Sequence, residues 1–595
     1  MHPVDYFIVV IYLIAIVALG IFLSKKASSG IESYFLGDRN LPWWVLGASG
    51  MASNTDLAGT MVLAALIYAL GVKGFFIEIR GGIVLVMAFF LIFMGKWNRR
   101  SQVMTLAEWM KLRFGEGKQG NIARIISALA NLITSIWIIS YFAVGGGKFF
   151  GEFLNIGERP ASIILILLAT VYTAASGFQG VVWTDVFQGL LIFIAIIYVC
   201  LLTFQTVTLP EQFPVSVPLE DGNFQAITAN LSDWSNIFPP VQLDIPGNYS
   251  IYNLFGITIF FYLLKTLLEG CGGVGGYMTQ RYFAAKSDRE AGLLSLFWIV
   301  LLAFRWPLVT AFALLGIHYN LTTQSLIANP ELVLPTVIAT YIPMGIKGLL
   351  VACFIAAAMS TFDSIINSAA AYWVKDIYQA YLKPEARDKE LLNQSRLASL
   401  AVVLLGLLFS FPTVNINDIW GWLTFGFGSG LFVPLLLRWY WWRFNGYGFA
   451  CGMVAGMMAA IITKLLGISL PEYANFLLPS SISLIGSILG TLLTAPTETE
   501  VLENFYRITR PFGVWGTIAT SLPSNIQAKI KIENRRDIMA AVIAVPWQLV
   551  LYLVGMVLMM KQWQSFGWLC LLFIWLSLGL YFLWFRYLDK EVKVD

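Results

Sequence analysis

Lys265-Thr-Leu-Leu-Glu-Gly-Cys-Gly-Gly-Val-Gly-Gly276 lies in a segment apolar enough to cross a membrane, yet five of its last seven residues are glycine. Each glycine inside a helix is about 1 kcal/mol less favourable than alanine, so an unbroken helix is not expected here. Non-helical backbone at membrane depth is tolerated only where protein buries it or a wet cavity borders it. An earlier segment shows the same anomaly. Leu46-Gly-Ala-Ser-Gly-Met-Ala-Ser-Asn-Thr-Asp-Leu-Ala-Gly-Thr60 puts small and polar residues in the middle of an apolar crossing. The two breaks lie five spans apart, each followed by four more spans. That is the pattern of inverted five-helix repeats, with a binding site at the midplane between discontinuous helices. Close packing through small residues is the competing reading of either segment alone. Two breaks at matching positions favour a transporter.

The composition agrees. The chain is 58% hydrophobic, 15% aromatic and 12% charged, with a mean hydropathy of +0.74. Soluble proteins carry about twice that charge, so this reads as an all-α polytopic membrane protein. Hydropathy places about fifteen spans, at roughly 5–23, 42–69, 74–95, 121–144, 161–176, 181–206, 252–275, 291–317, 347–374, 396–412, 418–438, 447–467, 477–495, 537–560 and 566–586. The implied organisation is an N-terminal span and loop (1–33), a first repeat (34–206), a loop (207–250) and a second repeat (251–440). Two accessory spans (441–496), a linker with amphipathic pieces (497–536) and two last spans with a tail (537–595) follow.

Basic residues collect in alternate loops: Lys25, Lys26 and Arg39; Lys96, Arg99, Arg100, Lys111 and Arg113; Arg281, Lys286 and Arg289; Lys375, Lys383 and Arg387; Lys529, Lys531, Arg535 and Arg536. The loops at 207–250 and 319–345 contain neither Lys nor Arg. The positive-inside rule then predicts an outside N-terminus and a cytoplasmic C-terminus, with Lys590 and Lys593, in a plasma (inner) membrane. Tyr6 to Leu23, followed by Lys25-Lys26, reads as an uncleaved span rather than a signal peptide. The sequons at Asn230, Asn248 and Asn320 fall in outward segments and decide little. The net charge of +4 lies in membrane-flanking loops and gives no reason to invoke nucleic acid. His2 and His318 are the only histidines, which disfavours an enzyme relying on an imidazole base. The five cysteines sit in apolar runs and form no disulfide framework or paired metal motif.

One further span, Ala352-Cys-Phe-Ile-Ala-Ala-Ala-Met-Ser-Thr-Phe-Asp-Ser-Ile-Ile-Asn-Ser368, carries an unusual polar load. An Asp at a helix centre costs about 2.5–3.5 kcal/mol on insertion scales, so the polar side is expected to face a protein interior. Ala357, Ser360, Thr361 and Ser364 recur at i, i+3, i+4, i+7 and form one stripe. Hard oxygens in a stripe suit a small hard cation. Hydroxyls bonded to their own helix carbonyls on a packing face remain the alternative.

Several local sequences resemble the sodium:solute symporter family, relatives of the sodium/glucose and sodium/proline cotransporters. They are Tyr34-Phe-Leu-Gly-Asp-Arg-Asn-Leu-Pro-Trp-Trp44, Thr105-Leu-Ala-Glu-Trp-Met-Lys-Leu-Arg-Phe-Gly115, Ser176-Gly-Phe-Gln-Gly-Val-Val-Trp-Thr-Asp185 with Gln188, Gln280-Arg-Tyr-Phe-Ala-Ala-Lys286, and the segment ending Asp376-Ile-Tyr378. The resemblance covers about 34–438 and implies a LeuT-type inverted repeat with one extra span before it and about four after it. It implies a sodium site made of the Ala52, Thr55 and Ala357 carbonyls and the Ser360 and Thr361 hydroxyls. A second cation seat is implied around Asp185, Ser360, Asp363 and Ser364. Asp185, close to the expected start of its span, has a solvated helix-start role as its alternative.

The sugar-carrier pattern departs elsewhere. Glu78 stands where sugar carriers keep a sugar-binding Glu, but their Asn and Tyr are replaced by Leu268 and Cys271, and their Gln falls near Gly426. Charges appear instead at membrane depth: Asp56, Glu78, Arg80, Lys265, Glu269 and Arg305. Lys265 and Glu269, at i, i+4, are expected to pair; Glu78 and Arg80, at i, i+2, are not. Arg80 and Arg305 read as structural. Asp56, Glu78, Lys265 and Glu269 are the substrate candidates. The expectation is a sodium-coupled importer of a small polar solute, charged or zwitterionic, working in a lipid bilayer with no obligatory protein partner. A sodium-coupled sugar symporter, or a channel or non-transporting sensor on the same fold, are the alternatives.

Overall fold

The computed structural model describes residues 1–588 apart from 28–34, 155, 220–221, 274, 411–415 and 469. The side chains of Lys25 and Lys26, and the residues Tyr34, Lys590 and Lys593, lie outside what is described. The protein is predominantly helical. Among the described residues eleven helices are long and apolar enough to cross a membrane, twelve if the bent pair Trp43–Asn54 and Leu57–Leu70 forms one span. The expected count was about fifteen. One reason for the difference is the segment 74–95, which is not one helix but Val72–Ile77, Glu78–Arg80, Met87–Phe89, Phe90–Met94 and Gly95–Arg100 in succession. Another is that 161–176 and 181–206 run together in the helix Glu158–Thr206.

Both predicted breaks are present. Trp43–Asn54 stops at Thr55, Asp56 is extended (φ −75°, ψ 158°), and Leu57–Leu70 restarts at an angle of 60°. The Asp56 carboxylate accepts from Gly59 N–H and caps the second half, which is why an Asp can stand at that depth. The helix Phe255–Gly272 likewise stops, and Gly276–Phe283 begins after the glycine run. Gly273 and Gly276 have φ of +79° and +66°, a region where a side chain would be strained. The polar helix Ile346–Ala371 passes beside the first break and is buried over almost all its length.

Two loops hold more structure than their sequences suggested. The 207–250 loop contains a hairpin, Gln212–Pro218 paired antiparallel with Phe224–Asn230, followed by the buried Trp234. Asn320, one of the three sequon residues, is buried and bonded to Tyr68, Pro214 and Ile327, so it is a packing residue. The linker contains the amphipathic helix Thr499–Thr509 as expected, but it is docked rather than loose. Phe505 and Trp515 pack into an aromatic cluster with Trp109 and Trp439. Arg113, expected in a solvated loop, is buried in that cluster and donates to the carbonyls of Arg438, Trp441, Trp442 and Phe444 at 2.8–3.3 Å. Arg438 lies in the last turn of the helix Ser429–Tyr440 and Trp441 caps it, a place where a cation complements the helix dipole.

Candidate functional site

A cavity of about 280 Å³ lies between the two breaks. Along the helix Lys118–Leu154 its lining runs from Ser127 to Phe142, about 22 Å at 1.5 Å per residue. That is most of the thickness of a bilayer core. Around the cavity stand Asp56, Glu78 and Glu269, opposed by Lys265 and Arg305. Thr361 also lines it, so the polar stripe of Ile346–Ala371 reaches the cavity edge.

The charges are arranged in pairs. Lys265 and Glu269 meet at 2.7 Å, as their spacing predicted, and Lys265 also donates to the Arg80 carbonyl at 2.7 Å. Glu78 and Arg80 do pair, at 2.9 Å, contrary to expectation. The i, i+2 exclusion holds on an α-helix; here the chain tightens into a 3₁₀ turn, Glu78–Arg80, which redirects both side chains. The second Glu78 oxygen accepts from Gly82 N–H and Trp420 Nε1, both at 3.1 Å. Arg80 is fully buried and also reaches Tyr252, Asn417 and, at 3.4 Å, Glu472. Glu472 borders a second cavity of about 210 Å³ with Asp418 and Lys464. Arg80 thus stands between the two cavities. Arg305 lies 3.8 Å from Asp56 and donates to the Asn54 carbonyl at 2.8 Å. Neither Leu268 nor Cys271 borders the central cavity, and Gly426 borders the second one.

At the first break the last turn of Trp43–Asn54 has no following turn to accept its carbonyls into helical bonds. Arg305 takes the Asn54 carbonyl; Ala52 O receives only the weakly closing Thr55 N–H at 3.2 Å. Ser53 crosses to the polar helix, 2.8 Å from Ser364 Oγ and 3.5 Å from Ser360 Oγ. Thr361 Oγ1 donates to the Ala357 carbonyl at 3.1 Å, the self-bonding that the packing alternative describes. Ala357, Ser360 and Thr361 are all buried. Five candidate sodium ligands therefore come from two elements that meet at the break.

Asp185 is buried, so its alternative as a solvated helix-start residue is excluded. The reason is the continuous helix Glu158–Thr206, which places it well inside rather than near an end. Its Oδ2 accepts from Ser49 Oγ at 2.5 Å and lies 3.4 Å from Arg281 Nη2. Asp363 is buried too. Ser364, assigned to the second cation seat, is within 3.0 Å of Arg281 Nη2. Arg281 was expected in an inner loop; it is fully buried on Gly276–Phe283, beside the ion candidates. Loop charge counts carry no information on depth, and so they missed it. Ser49 and Ser53 were missed as well, although their i, i+4 spacing on a broken helix was a usable signal.

A family model described as "Sodium:solute symporter family" matches residues 34–456. The sodium/glucose cotransporter of Vibrio parahaemolyticus is 25% identical, over 86% of this chain and 95% of its own. The high-affinity proline transporter PutP of Bacillus subtilis is 26% identical, over 81% and 97%. A solved Na+-coupled sialic acid symporter superposes with a TM-score of 0.64 at 20% identity, covering 84% of this chain and 99% of its own. The shared architecture is the LeuT-type fold.

Proposed function

Because the chain belongs to the sodium:solute symporter family, we propose that it imports a small polar organic solute, charged or zwitterionic, by sodium-coupled alternating access. The observation that carries the solute class is the central cavity, bordered by three carboxylates and two cations within its wall. Relatives that carry glucose, proline and, in the solved structure, sialic acid span neutral to charged solutes, so their names do not choose among classes. In our reading Lys265 and Glu269 meet the solute, while Asp56 and Glu78 hold the cavity wall through Arg305 and Arg80. The orientation is N-terminus outside and C-terminus cytoplasmic, in a plasma (inner) membrane. Sodium held by Ala52, Thr55, Ala357, Ser360 and Thr361 ties the first break to the polar helix; solute then settles beside both breaks. One sodium falling through 100 mV supplies about 2.3 kcal/mol, roughly a fifty-fold accumulation from the electrical part alone. Uptake into proteoliposomes with a sodium gradient, against an equal potassium gradient, tests this. A channel conducts without solute, and a sensor accumulates nothing.

A sodium-coupled sugar symporter is the second reading, favoured by Glu78 at the cavity edge. Both its oxygens are already bonded within the protein, which weakens that reading. A thermal-shift screen of hexoses, amino acids and carboxylates, each in sodium or potassium, separates the two. Amino acids or carboxylates are expected to stabilise the protein in sodium, by several degrees more than hexoses. A neutral hexose as the tight ligand would reduce Lys265 and Glu269 to a structural pair.

For the second cation, proposed at Asp185, Asp363 and Ser364 with Ser360 shared, sodium-dependent uptake should have a Hill coefficient above one. Asp363→Asn or Asp185→Asn should bring it towards one and leave measurable transport. A wild-type coefficient of one, unchanged in both variants, removes this seat.

A further inference from the structure

One nitrogen, Nη2 of Arg281, is ringed by five oxygens. Ser49 Oγ and Ser53 Oγ lie at 2.7 Å, Ser364 Oγ at 3.0 Å, the Ser49 carbonyl at 3.3 Å and Asp185 Oδ2 at 3.4 Å. A guanidinium NH₂ carries two hydrogens in a fixed plane and cannot serve five acceptors with good geometry. A spherical cation can, because it imposes no direction on its ligands. The other Asp185 oxygen, Oδ1, is buried and accepts no hydrogen bond. A planar fork leaves that acceptor idle, whereas a metal ion between the oxygens would engage it.

The scaffold differs for the two halves of this cluster. Ser49 and Ser53 stand on Trp43–Asn54, Asp185 on Glu158–Thr206 and Ser364 on Ile346–Ala371. Arg281 stands on the short helix Gly276–Phe283, which follows the glycine break with its two left-handed residues. Asp185 and Ser364 are thus carried by long continuous helices, Ser49 and Ser53 by the first half of the first broken span, and Arg281 by a short helix beyond the second break.

We propose that Arg281 is a tethered competitor for sodium. The cage of Ser49, Ser53, Asp185 and Ser364 takes the ion when Gly276–Phe283 swings the guanidinium out, and gives it up when Arg281 returns. The inference rests on the sodium-coupled reading above. It adds that ion release is driven by the protein's own cation rather than by dilution alone, and that it is coupled to movement of the second broken helix. A fixed pin is the competing role: Arg281 also donates to the Tyr277 carbonyl at 2.9 Å and lies 5.7 Å from the Trp298 ring centre.

Equilibrium binding of radioactive sodium to the purified full chain, with no solute present, separates these roles. R281Q is expected to bind one more sodium per chain than wild type, or to bind the last ion at least tenfold tighter. Adding Asp185→Asn to R281Q should remove that gain. Folding is read from gel filtration and the thermal midpoint. A folded R281Q with wild-type number and affinity of ions overturns the proposal. Should R281Q not fold, spin labels at the exposed Lys286, just past Gly276–Phe283, and at the exposed Trp44 of Trp43–Asn54, in otherwise wild-type protein, decide. Their distance should lengthen with rising sodium but not potassium, and an unchanged distance overturns the proposal. Wild type that binds no sodium sinks the coupled reading as well; wild type that binds it, with no change on removing Arg281, sinks only this inference.

Discussion

Arg80→Ala is expected to leave little folded protein in the membrane. The guanidinium is fully buried and holds Glu78 on the central cavity and Glu472 on the second one, and it also bonds Tyr252 and Asn417. Removing it strands two carboxylates at low dielectric. Breaking a buried pair by deleting one partner costs about 3–5 kcal/mol, because the remaining charge is left uncompensated. Folded proteins commonly have only about 5–15 kcal/mol in hand. Detergent-solubilised R80A should show at least a tenfold loss of monodisperse protein by gel filtration. Adding Glu78→Gln removes one stranded charge and should recover part of the yield. Wild-type yield and melting temperature in R80A would mean that Arg80 does not hold the partition between the cavities.

Ser360→Ala and Thr361→Ala are expected to act on function and barely on yield. Each deletes one hydroxyl from the sodium site proposed at the break, and alanine suits a membrane helix. Sodium's apparent affinity should fall at least tenfold, about 1.4 kcal/mol, in each variant. The geometry makes the two unequal. Ser360 faces Ser53 across the break at 3.5 Å, whereas Thr361 donates to the Ala357 carbonyl at 3.1 Å within its own helix. Ser360→Ala should therefore be the more severe. Unaltered sodium dependence in both would remove the site.

The breaks are legible in the sequence because glycine and mid-span polar residues contradict a helix by amounts larger than a helix tolerates. The Lys265–Glu269 pair is legible because an α-helix persists through both residues. Glu78 and Arg80 fail the same rule for one reason, a change to a tighter turn, which local spacing cannot report. The segment 74–95 fails with them: its apolar content was read correctly, but its bends at Gly81, Gly82 and Val84 were not. Asp185 and Arg281 show a different limit. Hydropathy and charge alternation place residues along the membrane normal, and they say nothing of which neighbour fills the space beside a side chain. That information sits in helix packing, which removed the solvated alternative for Asp185 and brought an apparent loop arginine into its buried cluster.

The docking of Phe505 and Trp515 onto Trp109, Trp439 and the buried Arg113 bears on the order in which the chain assembles. Arg113 and the carbonyls it serves are synthesised before the segment that walls them off. The ten-helix core therefore leaves the ribosome with a cation and an aromatic face still open to water, and closes only when the later segment arrives. A nascent chain halted between residues 445 and 498 is expected to be a recognisable substrate for quality control, because its ten-helix core is complete and this face of it is not.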